Sequence, residues 1–273
     1  MNAFTQFEHE GWERVAHKYD SVWASSTRQF IGPLLDAAEV AAGMSVLDVG
    51  CGPGYISAAV AERGAVPIGM DFSGEMVGIA KKMFPQIEFR EGDAQKLLFA
   101  DASFDRVLAN FALLHLADPE RACAETCRVL KPGGRFGFTT WARVEENPFV
   151  KIVDDALQAH ADLNVELPPG PPYYLFENPE EFRNALSRVG FDGVSMIFKT
   201  HRIEWKVPTA RFVFEAEKNA GVRTAGLLAG QTPEALRAIE AAIEKAVEPY
   251  ACGDGFAIPK AAYVVAVAKG RRA

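Results

Sequence analysis

Short apolar runs alternate along the chain with stretches in which apolar residues recur every three or four positions, the pattern of strands and helices taken in turn. Val46–Val49 is long enough for one buried strand. From Tyr55 to Arg63 the residues Ile56, Ala59 and Val60 share a helical face, and Gly64 supplies the stop. Val66–Met70 reads as a second strand, and Ser73 caps a helix over Gly74–Met83 that Pro85 closes. Strands are expected over Ile87–Arg90 and Arg106–Ala109, with an amphipathic helix over Pro119–Leu130. The turn Lys131-Pro132-Gly133-Gly134 then leads into a strand over Arg135–Thr140. The second half predicts helices over Phe149–Ala161, Glu180–Val189, Arg211–Ala220 and Pro233–Val247, the last capped by Thr232. Strands are expected over Val194–Ile203 and Tyr263–Ala268. Leu167–Tyr174 holds too many prolines for regular structure. Ahead of the first strand, Trp12, Ala16, Tyr19 and Trp23 fall on one side of a helix or of two short ones, and a helix over Ile31–Ala42 leads into the core. Strands alternating with helices predict an α/β, doubly wound sheet.

The first strand runs into Gly50, Gly52 and Gly54, and the second ends at Asp71, 21 residues after Gly50. Strand, glycine turn, helix, strand and acid make a nucleoside site in which the acid accepts hydrogen bonds from ribose hydroxyls. A dinucleotide loop reads G-x-G-x-x-G and offers N–H groups to a pyrophosphate. Here the third glycine comes one residue early, and Asp48 precedes the loop. A carboxylate there repels pyrophosphate and suits the ammonium group of a bound amino acid with a sulfonium beside it.

The run D-V-G-C-G-P-G followed by an acidic strand end resembles the cofactor site of the class I S-adenosylmethionine-dependent methyltransferases. The segment W-E-R-V-A-H-K-Y-D-S-V-W resembles the N-terminal lid of small-molecule members, with plain packing as the alternative. L-K-P-G-G is also typical of that family. The resemblance spans about Trp12–Thr140 and implies a Rossmann-like sheet of seven strands with an antiparallel last strand. It implies S-adenosyl-L-methionine as cofactor, held by Asp48, Gly50, Cys51, Gly52, Gly54, Asp71, Phe72, Met76 and Asn110. In the same family the corner matching Gly92-Asp93-Ala94 holds the adenine. An enzyme that methylates DNA amino groups would carry an N-P-P-Y type tetrad where this chain has Asn110-Phe111-Ala112-Leu113, so that subclass is rejected. The sequence looks most like the branch containing quinone-biosynthesis enzymes but lacks their extended N-terminal signature.

Composition narrows the partners. The 273 residues are 49% hydrophobic, enough for a large core, and the net charge of -7 works against a large nucleic-acid footprint. No targeting segment or long apolar run appears, which predicts a soluble cytoplasmic protein without a membrane span. Four cysteines make no disulfide framework: Cys51 sits in the glycine loop, Cys252 has no evident partner, and Cys123 and Cys127 lack a second ligand pair for zinc. No metal is expected.

The predicted function is methyl transfer to a small-molecule acceptor. Oxygen, nitrogen and carbon acceptors stay open, as does the oligomeric state. The alternatives are a catalytically silent S-adenosylmethionine-binding protein and an NAD-linked oxidoreductase. His115, just past the fourth strand in L-L-H-L-A-D, is the candidate general base, because an imidazole takes a hydroxyl proton near neutral pH; Tyr19 is the next candidate. The expected organisation is a helical lid over residues 1–30 and a cofactor-binding core over 31–141. A continuation with the Pro-rich loop follows over 142–203, a helical cap insertion over 204–258, and the last strand and tail over 259–273.

Overall fold

The computed structural model describes residues 2–172 and 178–270. Tyr173 and Tyr174 of the Pro-rich stretch therefore lie outside the described residues. The chain opens with α1 (Ala3–Val22) and α2 (Ala24–Thr27), followed by α3 (Ile31–Ala37). Next come β1 (Ser45–Val49), α4 (Tyr55–Glu62), β2 (Val66–Asp71), α5 (Gly74–Met83), β3 (Glu88–Glu91) and β4 (Phe104–Asn110). The middle holds α6 (Pro119–Val129), β5 (Leu130–Trp141), α7 (Pro148–His160), α8 (Pro179–Arg188) and β6 (Phe191–Val207). The chain closes with α9 (Arg211–Ala220), α10 (Arg223–Ala229), α11 (Pro233–Val247), β7 (Ala251–Cys252) and β8 (Gly255–Lys269).

The sheet runs in the order β3-β2-β1-β4-β5-β8-β6, with the two-residue β7 pairing only β8. From β3 to β5 all pairings are parallel, and β8 enters antiparallel to both β5 and β6. Seven strands on one path plus β7 make eight, one more than the sequence predicts. Strand order reverses between β1 and β4, and the crevice where ligands bind in such sheets opens at the carboxyl ends there.

The caps follow the sequence. Ser73 Oγ accepts from Met76 N at 3.1 Å and Thr232 Oγ1 from Ala235 N at 3.2 Å, each satisfying a first-turn donor. Strands β5 and β6 run longer than expected, β5 taking in the Lys131–Gly134 turn, and three further elements differ. The helix expected to reach Ala42 stops at Ala37, because Glu39 adopts φ 54°, with Val40 N bonded to Leu35 O and Glu39 N to Asp36 O. That is a Schellman ending built without glycine, so no stop signal stands in the sequence. Helix α10 was not anticipated: its seven residues make about two turns and include Gly226, where a Cβ would lie 3.0 Å from Phe7 Cζ on α1. Strand β8 starts at Gly255 rather than Tyr263, since pairing with β6 from Phe256 to Lys269 carries it through Pro259 and Lys260.

Two cores result. The larger lies on the sheet under α6 and α8, around Val107, Phe136, Phe138 and Tyr263. The other gathers α7, α9 and α11 around Trp205 and Ile258, where β6 and β8 extend beyond the rest of the sheet. Among the described residues no helix is long and apolar enough to cross a membrane, and no group of His, Cys, Asp or Glu is arranged to hold a metal ion.

Candidate active site

The carboxyl ends of β1 to β4 open onto one cavity of 450 Å³ that continues under α1 to the second core. The glycine loop forms its floor. Gly50 N and Cys51 N both donate to Met70 O, at 2.7 and 3.0 Å, which fixes the loop against β2. Gly52 has φ 50°, and a Cβ there would meet nothing within 4 Å, so this glycine leaves space for a ligand as well as for the turn. Gly50 is needed for a different reason, because its Cβ would fall 2.4 Å from the Ala112 Cβ. Gly54 caps α4 and faces Phe89, away from the cavity lining.

Asp71 ends β2 inside the cavity. Its Oδ2 accepts from Gly52 N at 2.8 Å and its Oδ1 from Ser73 N at 2.9 Å. A carboxylate has about four lone-pair sites, so each oxygen retains capacity for a ribose hydroxyl. Burial raises the Asp71 pKa and the two N–H groups oppose the rise. Cys51, Phe72, Met76, Asp93, Ala94 and Asn110 line the same end of the cavity.

Asp48 does not line the cavity. It is fully buried, and its Oδ2 accepts from Ser57 N at 3.0 Å and Ser57 Oγ at 2.6 Å, satisfying a donor in the first turn of α4. Its Oδ1 has no hydrogen-bond partner. Burial pushes its pKa up to about 7, with the Asp71 charge adding to the rise and the Ser57 bonds opposing it. Asp48 thus lies beneath the loop, with one oxygen turned to the helix end it caps.

Helix α1 covers the cavity with Thr5, Trp12 and Tyr19. Glu13 Oε1 holds it down by accepting from Ser73 Oγ at 2.7 Å and Glu75 N at 3.2 Å, and the Tyr55 hydroxyl donates to Asp20. Tyr19 shares a hydrogen bond of 3.0 Å with Thr27 Oγ1, and burial pushes its phenol up to about 12. A phenol there stays protonated at neutral pH.

His115 also lines the cavity, with its ring edge-on to Trp12 at 4.8 Å between centroids. Its Nδ1 lies 3.0 Å from Glu8 Oε2, and Glu8 is fully buried. The other carboxylate oxygen accepts from Arg223 Nε at 2.7 Å. Arg223 also donates to Leu114 O at 2.6 Å and Pro171 O at 2.9 Å, so α1, α10 and the segment after β4 are tied together here. Burial raises the Glu8 pKa, yet the charges and hydrogen bonds of His115 and Arg223 outweigh it and hold the carboxyl below its ordinary value.

Beyond His115 the cavity becomes an apolar chamber lined by Trp141, Phe149, Val153, Leu157, Val222 and Leu227. Three ionisable side chains reach its wall: Asp154, Glu217 and Lys260, whose Nζ has Ser26 Oγ at 3.4 Å. Glu8, Arg223 and Lys260 escaped the sequence reading. Glu8 and Arg223 meet 215 positions apart, which no local pattern encodes. Lys260 did leave a trace, as the lone charge in the apolar run from Phe256 to Ala268.

Residues 47–138 match the family model described as a methyltransferase domain. A demethylmenaquinone methyltransferase of Renibacterium salmoninarum is 36% identical over 147 residues, which cover 52% of this chain and 62% of that relative. The chain thus spans under two thirds of that relative's length. Among solved structures, the (4+2) cyclase SpnF aligns with a TM-score of 0.60 at 21% identity, over 99% of this chain and 98% of that one. Phosphoethanolamine N-methyltransferase 2 of Haemonchus contortus, solved with phosphomonomethylethanolamine and S-adenosylhomocysteine, aligns with a TM-score of 0.60 at 18% identity, over 99% of this chain and 61% of that one. At these identities the structural likenesses establish the fold alone. The domain match marks residues 47–138, which hold the glycine loop and Asp71, as a methyltransferase domain.

Proposed function

We propose that the protein transfers the methyl group of S-adenosylmethionine to a small-molecule acceptor bound in the apolar chamber. The observation that carries the reading is continuity: the glycine loop with Asp71 and the chamber beyond His115 belong to one cavity. Its residues fit the cofactor. Gly52 leaves room where a side chain would project, and Asp71 has spare acceptor capacity at the position expected for a ribose. Asp93 and Ala94 stand at the neighbouring strand end for an adenine. Bound S-adenosylmethionine supplies a methyl group already activated on a sulfonium. The protein's own share is to hold the acceptor in line and keep water out, a positioning effect worth up to roughly 7–11 kcal/mol.

His115 is the proposed proton acceptor for a hydroxyl or acidic-carbon nucleophile. Glu8 accepts the Nδ1–H, which leaves the lone pair on Nε2, and Arg223 keeps Glu8 ionised for that task. Glu8 is a positioning residue by this reading. Helix α1 is the proposed lid, since its tethers to Ser73 and Glu75 are side-chain contacts that can open. A cytoplasmic setting without a nucleic-acid partner goes with the reading, supported by the net charge of -7.

Calorimetric titration with S-adenosylmethionine and with NADH tests it. Binding of the first alone is expected, and binding of NADH alone would overturn the reading. Mass spectrometry of S-adenosylhomocysteine released with candidate hydroxylated acceptors then separates turnover from silent binding.

A further inference from the structure

The chamber contains a group that the proposed chemistry does not use. Lys260 is fully buried, yet it lines the cavity. Four rings surround its Nζ: Phe149 at 4.0 Å, Trp141 at 4.4 Å, Trp205 at 4.7 Å and Trp23 at 5.0 Å to the ring centroids. The rings are fixed by contacts of their own. Trp23 Nε1 donates to Ala220 O at 2.9 Å and Trp205 Nε1 to Ser25 Oγ at 3.2 Å, and the two indoles stack at 5.4 Å.

Such a cage of ring faces is what proteins use to bind an ammonium ion from outside. Here the chain fills it with its own. An ammonium has three N–H donors, and among the described residues the Lys260 Nζ makes one hydrogen bond, the long one to Ser26. No carboxylate stands within ion-pair distance of it among the described residues. The other cations of the lining are committed elsewhere: Arg223 to Glu8 and two carbonyls, and Arg28 to the face of Tyr55 at 4.4 Å beside the glycine loop. Two acids share the chamber, Asp154 on α7 and Glu217 on α9. Burial raises the Glu217 pKa toward its neutral acid form, with Thr224 and Lys260 opposing the rise. Burial likewise lowers the Lys260 pKa, to about 7, so an anion arriving beside it would draw a proton onto the amine.

We propose that Lys260 sets acceptor specificity by donating hydrogen bonds to an anionic oxygen, phenolate, enolate or carboxylate, on a ring-sized apolar acceptor. A cationic acceptor is excluded because the cage it would need is already filled. This rests on the methyltransferase reading and decides between the acceptor classes the sequence left open, in favour of an acidic oxygen compound over an amine.

Two probes of equal ring size and opposite charge test it: 2-naphthoate and 2-naphthylmethylammonium, titrated calorimetrically into the whole chain saturated with S-adenosylhomocysteine. The parent protein is expected to bind the naphthoate at least tenfold more tightly. In Lys260→Met that preference should fall to within about threefold, with S-adenosylhomocysteine affinity unchanged; Lys260→Arg should retain a preference for the anion. The parent alone settles the first arm, whatever the stability of the variants. Equal binding of the two probes, tighter binding of the ammonium, binding of neither, or an undiminished preference in Lys260→Met would each overturn the assignment while leaving the cofactor reading standing. Failure of the parent to bind S-adenosylhomocysteine would instead sink the methyltransferase reading and this proposal with it.

Discussion

Replacing Lys260 by methionine should make the protein more stable at low pH than at high pH, relative to the parent. Burial carries the Lys260 pKa from 10.5 down to about 7, against a raising effect of the nearby Glu217. Between those two values the unfolded chain holds a proton that the folded chain has lost. Stability of the parent therefore rises with pH across that window, and below pH 7 the folded protein bears the full cost of a charge in a dry cage. Each pH unit inside the window is worth about 1.4 kcal/mol. From pH 6 to pH 9 the advantage of Lys260→Met over the parent should shrink by about 3 kcal/mol, since the lysine titrates over roughly two of those units. At about 2–4 °C per kcal/mol for a chain of this size, the gap in Tm should narrow by roughly 6–12 °C. Paired thermal melts of parent and variant across this range make the measurement, and the difference cancels every group common to both. The four rings act in the opposite sense, at about 0.5–2 kcal/mol per cation–π contact. If they stabilise the ammonium by more than burial costs it, the pKa stays near its ordinary value and the gap is constant from pH 6 to pH 9. A flat difference would refute the reasoning.

Three further outcomes are expected. Gly52→Ala should weaken S-adenosylmethionine binding at least tenfold in calorimetry and cost about 1–2 kcal/mol of stability through its left-handed backbone; unchanged affinity would remove the loop from the cofactor site. His115→Ala should lower kcat about a hundredfold or more with cofactor affinity retained, and Glu8→Gln should lower it by a smaller factor and alter the pH–rate profile; parent-like turnover in both would dismiss proton transfer at His115. Asp48, raised to about 7 from 3.8, keeps a proton in the folded state that the unfolded chain releases, so parent stability falls as pH rises through that range. Urea melts at pH 5 and pH 8 should find Asp48→Asn gaining on the parent at the higher pH, and an equal difference at both would mean the carboxyl is not forced toward its acid form.

The parallel half of the sheet was legible because its signals are local. A buried strand must be apolar, a tight strand-to-helix turn needs residues tolerant of positive φ, and a helix start needs a side-chain acceptor. Val46–Val49, Gly50–Gly54, Ser73 and Thr232 each declare one of these without reference to anything distant. The ends of α3, α10 and β8 were not legible, because a Schellman ending at Glu39, a packing contact at Gly226 and a pairing partner in β6 are tertiary facts. The cofactor end of the cavity divides in the same way. Asp71 and the loop glycines are read from spacing along one βαβ unit, while Asp48, equally prominent in the motif, is claimed by Ser57 once α4 packs. At the acceptor end almost nothing is local. His115 acquires Glu8 and Arg223 only when α1 and α10 close over the sheet, and Lys260 becomes caged only when Trp23 between α1 and α2, and β5, β6 and α7, each bring a ring to one point. Contiguous residues determined which cofactor the chain can hold; what lies opposite it is assembled from elements spread over the whole chain, and only the folded molecule could decide that.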